Sequence, residues 1–229
     1  MEYPKIHSLW KRQGWYFDED KKNSPGYQAG RQSLIEGDYA IPEFANIKYW
    51  QVQEKIDGMN IRIEDSPYSR MPSIYGRTDK ADVPLPLMTH LKSIFHPDSM
   101  LEVFLKKDAG LPCITIFGEG YGPKIQAGGG NYRKDAGFIL FDVKVNNWWL
   151  EQSAVEEIAG KFGIPYAPII GNMTHQEIID YVKSQPKSLC SITEQVMEGV
   201  ICRPNPLLLL RNGDPLMMKL KCKEYLPNI

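Results

Sequence analysis

Regular alternation of apolar and polar positions begins at residue 51. Gln51-Val-Gln-Glu-Lys-Ile56 and Met59-Asn-Ile-Arg-Ile63 read as two strands joined by a tight turn at Asp57-Gly58. Ser73–Arg77 reads as a further short strand. Between residues 86 and 107 the apolar positions fall at helical spacing (Leu87, Leu91, Ile94 and Phe95, then Leu101, Phe104 and Leu105), with a break at Pro97. Cys113–Phe117 is a predicted strand, followed by a glycine-rich stretch to Gly130. Gly137–Val145 is another, with a turn at Asn146-Asn147, and Glu151–Phe162 is a predicted helix. Thr174-His-Gln-Glu177 has the form of a capping box and opens a second helix through Val182. Strands are predicted again at Glu198–Cys202, Leu207–Arg211 and Leu216–Cys222, the last two as a hairpin around Asn212-Gly213. Residues 1–45 show no clear period apart from a short helical signal near Gln32–Glu36, and read as an N-terminal elaboration packed on the main domain. Interspersed helices and hairpin-forming strands give an α+β class with antiparallel sheets flanked by helices.

Composition narrows the setting. The 229 residues are 42% hydrophobic and 24% charged, which suits a packed globular chain and not a disordered one. The formal net charge of −1 excludes a polycation that coats nucleic acid, so any basic site is local. Cys113, Cys190, Cys202 and Cys222 form no CxxC pair, which points to reduced thiols rather than a zinc knuckle. No apolar run approaches the roughly 20 residues of a membrane helix, and Met1–Trp10 has no signal-peptide core. The expected location is cytoplasmic, in the host cytoplasm if the chain is phage-encoded, with no membrane partner.

The sharpest local signal is Glu54-Lys55-Ile56-Asp57-Gly58, where a lysine at the end of a strand can project into a cleft as a nucleophile. By itself this is equally a solvated turn lysine. Its company is more specific: Arg77 in Tyr-Gly-Arg-Thr, Glu119 in Phe-Gly-Glu-Gly, Phe141-Asp142 in an apolar strand, Glu198-Gly199 opening a strand, and Lys219-Leu-Lys221 in the final one. Lysines at i and i+2 of a strand share a face and suit one phosphate site. Gly118-x-Gly120-x-Gly122 is not a dinucleotide fingerprint, because Pro123 follows, and no GK[ST] marks a P-loop. The four histidines are scattered without metal-ligand spacing. Lys124, Tyr132, Arg133 and Lys134, around the glycine run, are candidate nucleic-acid contacts.

Taken in order, these elements resemble the covalent nucleotidyltransferases: ATP-dependent DNA and RNA ligases and capping guanylyltransferases. Lys55–Gly58 looks like their motif I and Phe117–Gly120 like motif III. Phe138–Asp142 is similar to motif IIIa, Glu198–Val200 to motif IV, and Met218–Lys221 to motif V. Asn60 and Arg77-Thr78 most resemble RNA ligases of the RNA-ligase-2 type, and residues 122–132 resemble a segment of small phage and viral RNA-ligase-like proteins.

The resemblance implies a ligase-type adenylyltransferase domain. Lys55 would carry AMP from ATP to a 5′-phosphate, and a 3′-hydroxyl would then seal the strand. An attacking amine must be neutral, and neighbouring cations favour that form; Lys219 and Lys221 are expected beside it, as catalytic groups that also neutralise the α-phosphate. Glu54, Lys55 and Ile56 are expected to line the ATP site, Glu119 to bind the ribose hydroxyls, Phe141 to stack on adenine with Phe138 in the core, and Arg77 to contact ribose or phosphate. Glu198 is the expected ligand of Mg²⁺, with Mn²⁺ an alternative. Asn60 is expected to support sealing, and Asp57 to have a structural or metal-positioning part. Cys222–Ile229 leaves no length for an OB-fold after motif V, so a single domain over residues 1–229 is expected. RNA ends are the favoured substrate. The alternatives are DNA nick sealing, capping-type guanylyl transfer, and an end-binding protein without turnover.

Overall fold

The computed structural model describes residues 2–12, 34–105, 111–126 and 128–225. Twelve strands and four helices are present among them: β1 His7–Ser8, β2 Trp10–Arg12, β3 Leu34–Tyr39, β4 Trp50–Lys55, β5 Met59–Asp65, β6 Ser73–Tyr75, α1 Leu85–Ile94, α2 Pro97–Phe104, β7 Ile114–Tyr121, β8 Gly137–Val145, β9 Trp148–Trp149, α3 Gln152–Phe162, β10 Ile169–Met173, α4 His175–Lys183, β11 Gly199–Arg203 and β12 Met218–Lys221. They form two five-stranded sheets and a β2–β3 ribbon. The first sheet runs β1-β12-β11-β4-β10 and the second β6-β5-β7-β8-β9. All pairings are antiparallel except β1 with β12. None of the helices is long and apolar enough to cross a membrane among the described residues.

Each sheet buries one face against helices. Behind the first, Trp50, Val52, Val200, Cys202, Met218 and Leu220 pack with Ile178, Ile179 and Val182 of α4. Behind the second, Ile61, Ile63, Ile114, Ile116, Phe138 and Leu140 pack with Leu87 and Leu91 of α1, Met100 of α2 and Val155 of α3. Period-2 alternation therefore turns residues 53, 55, 201, 203, 219 and 221 of the first sheet to its other face, and residues 60, 62 and 119 of the second likewise. A small cluster of Ile56, Tyr121, Tyr132, Ile139 and Ala167 fills part of the space between the sheets.

Helix boundaries follow the sequence signals. Pro97 sits at the first turn of α2 after His96, whose side chain accepts from the Ser99 N–H, and Thr174–Glu177 forms the reciprocal capping box at α4. Four expectations need correction. The strands on either side of Asp57-Gly58 are not a hairpin: β4 lies in one sheet and β5 in the other. The helical signal at Gln32–Glu36 gives way to β3 from Leu34, with Gln32 outside the described residues; pairing with β2 overrides local propensity. The glycine-rich stretch after Phe117 is strand as far as Tyr121. Leu207–Arg211 is no strand: Leu208 and Leu209 are exposed, and only a Leu209–Pro215 bridge joins the flanks of the Asn212-Gly213 turn. Prolines at 204, 206 and 215 remove ladder donors there. Strand β10, the short N-terminal strands and β9 were not legible, being two to six residues long with little alternation.

Candidate active site

The two inner faces enclose a cleft of about 490 Å³, which Lys55 enters from the point where the chain crosses between sheets. Backbone register sets the lysine's neighbours. Gly199 of β11 pairs with Lys55 of β4 on one side and with Lys221 of β12 on the other. No side chain rises from the middle strand in this row, and a Cβ at Gly199 would lie 2.0 Å from the Leu220 carbonyl oxygen. The carboxylate of Glu198 occupies the space and bridges the two lysines, bonded to Lys55 Nζ and 2.7 Å from Lys221 Nζ. Burial raises the Glu198 pKa, but Lys55 and Lys221 together outweigh it, and the net shift is downward. One row along, Lys219 pairs with Ile201 and Ser8. Burial and the charges of Lys221, Lys55 and Arg12 push its ammonium down to about 8, against Glu224.

The second sheet supplies the opposite wall. Asn60 and Glu119 are direct cross-strand partners between β5 and β7. Glu119 stands between two glycines for a packing reason. On the far face of β7, a Cβ at Gly118 would lie 2.1 Å from the Phe138 ring, and one at Gly120 would lie 2.4 Å from Leu87 Cδ2. The Phe-Gly-Glu-Gly pattern thus lets an aromatic ring and α1 close on the back of the strand while a carboxylate faces the cleft. Burial raises the Glu119 carboxyl to about 8, with Glu198 and Asp57 adding and Lys55 and the Gly58 N–H opposing.

A β-bulge aims Phe141. Phe117 pairs with Asp142 and Gly118 with Leu140, which leaves Phe141 unpaired. Phe138 and Leu140 precede it in the helix-side core, and Val143 follows it there, so the parity of β8 reverses across the bulge. Phe141 and Asp142 both face inward as a result. Phe141 lines the cleft, with the ring of Tyr3 edge-on at 5.1 Å, whereas Phe138 is 1% exposed in the core.

Arg77, exposed beyond β6, reaches the rim of the cleft. Ile56 lines the cleft and packs beneath it. Glu54 contributes to the lining, but its carboxylate is buried on the other face of β4, where it accepts from the Ser188 hydroxyl and, at 2.8 Å, from the Leu189 N–H. Lys124 and Lys134 are exposed, and Arg133 is held by Asp135 at 2.6 and 2.9 Å; these three do not line the cleft. Tyr132 is 3% exposed, so its ring has no free face, and its hydroxyl accepts the Asp57 N–H at 3.2 Å.

Sequence reasoning missed the far end of the cleft. Arg203 of β11 and Asp142 of β8, side chains each 3% exposed, form an ion pair at 2.5 Å that joins the two sheets. Asp142 also accepts from Gln152 Nε2 at 2.9 Å and from the hydroxyl of Tyr3, and Arg203 donates to Gln53 Oε1 at 3.2 Å. The signal was available: a charged residue at an inward position of an otherwise apolar strand needs a buried partner. Residues 3–6 also line the cleft, so the N-terminal segment forms part of its wall.

The described residues hold no group of three or more His, Cys, Asp or Glu side chains placed to bind a metal ion. The cleft carries carboxylates at 57, 119 and 198 instead. With Glu119 raised to about 8, one or two of these groups would serve a hard cation whose remaining ligands are phosphate oxygens and water, not a closed all-protein cage.

Two largely antiparallel sheets facing each other across a cleft are the fold of ligase nucleotidyltransferase domains, as comparison with solved structures shows. An RNA ligase from Naegleria gruberi, a K326A mutant solved with ATP and Mn, matches at 16% identity and TM-score 0.58, over 98% of this chain and 62% of that one. An archaeal ATP-dependent RNA ligase matches at 16% and 0.56, over 87% and 52%. A putative ATP-dependent DNA ligase from Aquifex aeolicus matches at 19% and 0.53, over 78% and 45%. The chain spans about half to three fifths of the length of these proteins. No curated protein sequence matches it significantly. The RNA ligase family profile matches residues 48–221, and the chain belongs to that family.

Proposed function

We propose that this protein is an ATP-dependent RNA ligase that works through a lysyl-AMP intermediate on Lys55. The observation that carries this reading is the Lys55–Gly199–Lys221 row with Glu198 folded across it, facing Asn60 and Glu119 in a single cleft. In the first step Lys55 Nζ, having lost a proton, forms a bond to the α-phosphorus of ATP as the bond to pyrophosphate breaks. The P–N bond then breaks as a 5′-phosphate oxygen of the nucleic acid takes the AMP. Finally a 3′-hydroxyl oxygen attacks that 5′-phosphorus and AMP leaves.

The residues divide this work. Glu198 pairs with Lys55 before the reaction, so freeing the amine requires the carboxylate to turn away. Lys219 and Lys221 face the same side and neutralise charge developing on the α-phosphate. Burial and neighbouring cations lower the Lys219 pKa to about 8, so an anionic phosphate beside it would restore the charged form. Phe141 offers a ring to the base, Glu119 accepts from ribose hydroxyls, Arg77 meets phosphate at the rim, and Asn60 sits where it can orient the sealing step. A divalent ion, Mg²⁺ or Mn²⁺, would be held by Glu198 and would supply charge neutralisation at the phosphates. The wall formed by residues 3–6 supports reading the N-terminal segment as part of the nucleotidyltransferase domain.

Intact mass after incubation with ATP and Mg²⁺ tests the reading. One AMP adduct is expected, and none in Lys55→Ala; an adduct that persists in the variant refutes the assignment. Sealing assays on 5′-phosphorylated RNA, DNA and hybrid nicks then separate RNA ligation, the expected result, from DNA nick sealing.

A further inference from the structure

Residues 56–58 have no strand partner, because β4 and β5 part into different sheets on either side of them. Their backbone groups must find partners elsewhere. The Gly58 N–H meets Glu119 on the adjacent strand β7. The other contacts form a path through two distant loops. On the back of β4, the buried Glu54 carboxylate accepts from Ser188, whose oxygen also accepts the N–H groups of Cys190 at 3.2 Å and Ser191 at 3.1 Å. The loop so folded reaches Asn131: the Ser191 hydroxyl and the Ile192 N–H both donate to the Asn131 carbonyl, at 2.8 and 2.9 Å, and Asn131 Nδ2 donates to Gln195 at 2.7 Å. Tyr132 is the next residue. Its ring packs with Ile56, and its hydroxyl receives the Asp57 N–H at 3.2 Å. The path leaves the chain at residue 54 and returns to it at residue 57, with Lys55 between.

We propose that Tyr132 and Ser188 are positioning residues for Lys55: the brace they close fixes the backbone that carries the amine, and neither touches the reacting atoms. The kinetic part of this inference rests on the ligase reading above. The brace replaces the ladder that the divided strands cannot provide. Its catalytic weight comes from geometry, since a nucleophile displaced by about 1 Å loses about two orders of magnitude in rate.

Two variants test it. Tyr132→Phe keeps the ring and removes only the acceptor, and Ser188→Ala removes the hydroxyl that joins Glu54 to the N–H groups of Cys190 and Ser191, leaving the Leu189 N–H tie in place. In each, single-turnover adenylylation of Lys55 is expected to slow by about tenfold or more, with the ATP concentration for half-saturation unchanged. Amide exchange over residues 55–58 is expected to accelerate in both. The melting temperature stays near that of the wild type in Tyr132→Phe and falls by several degrees in Ser188→Ala, which takes a donor from a buried carboxylate, with ATP saturation still unchanged. Wild-type rate and exchange in both variants overturn the proposal. Parallel losses of stability and ATP saturation also overturn it, because they mark a merely structural role. Weaker binding of a 5′-phosphorylated RNA oligonucleotide by Tyr132→Phe, at unchanged adenylylation, would instead make the tyrosine a nucleic-acid contact. If the wild type takes no AMP, the ligase reading fails, and amide exchange at 55–58 alone decides whether the brace exists.

Discussion

Asp142→Ala removes the acceptor at the centre of the network that ties the two sheets together. The structure sets the size of the effect. Asp142 and Arg203 are each 3% exposed and 2.5 Å apart, so the variant leaves a guanidinium buried without its counterion. Breaking a buried pair in this way costs about 3–5 kcal/mol. Gln152 Nε2 and the Tyr3 hydroxyl lose their acceptor too, which places the expectation at the upper end of that range. For a domain of this size the loss corresponds to a fall of roughly 6–20 °C in melting temperature. Urea unfolding followed by far-UV circular dichroism measures it, with an unchanged m-value as the condition for reading the midpoint shift as stability. The pairing has a sharper signature in Asp142→Leu combined with Arg203→Met. Apolar replacement of both partners removes the isolated charge, so the double variant should be more stable than Asp142→Leu alone by about 1 kcal/mol or more, with Gln53 and Gln152 keeping the recovery partial. A loss below about 1 kcal/mol in Asp142→Ala, or strict additivity in the double variant, would refute the claim that this pair holds the sheets together.

Other outcomes follow from the same geometry. Glu119, raised to about 8, binds a proton in the folded chain that the unfolded chain has released above about 4.5, so stability falls as pH rises from about 4.5 through 8. Glu119→Gln should flatten that slope in melting temperature against pH and be the more stable protein at pH 8, while losing ATP binding. Lys219 has the opposite sign: between about 8 and 10.5 the unfolded chain holds the extra proton, so stability gains with rising pH from this site, and Lys219→Gln should remove the gain. Gly118→Ala, whose Cβ would press on the Phe138 ring at 2.1 Å and on the Ile139 carbonyl oxygen at 2.4 Å, should cost about 1–3 kcal/mol in chemical denaturation, and a neutral result would show that both the ring and β8 shift freely. Gly199→Ala meets backbone instead of a side chain, 2.0 Å away, and is expected to disrupt the β11–β12 ladder and abolish the AMP adduct in the mass assay.

The helices were legible because each carries its own instructions: apolar spacing, the Thr174–Glu177 capping box, and Pro97 at a first turn. The longer strands were legible from alternation, as were most side chains now lining the cleft, because motif order and parity survive in a linear string. What failed was pairing. The string around Asp57-Gly58 is that of a hairpin, and nothing local records that Lys55 finds its partner in Gly199 and Met59 in Gly120. Phe141 could be singled out, but its direction depends on a bulge that exists only relative to β7. Tyr132 looked like a surface aromatic beside basic residues because burial is a property of the assembled sheets.

Sequence alone determined which residues carry charge, hydroxyl and ring, and how they alternate along each unbulged stretch of strand, since those follow from covalent order and the two-residue pleat. Tertiary structure alone decided that Glu198 spans two lysines, that Glu54 turns away from the cleft, and that Tyr3 closes one end. Such contacts join distant positions, 143 residues apart for the Lys55–Glu198 pair and 214 for Tyr3 and Met217, and they arise only when separate sheets bury their apolar faces and leave the opposite faces confronting each other.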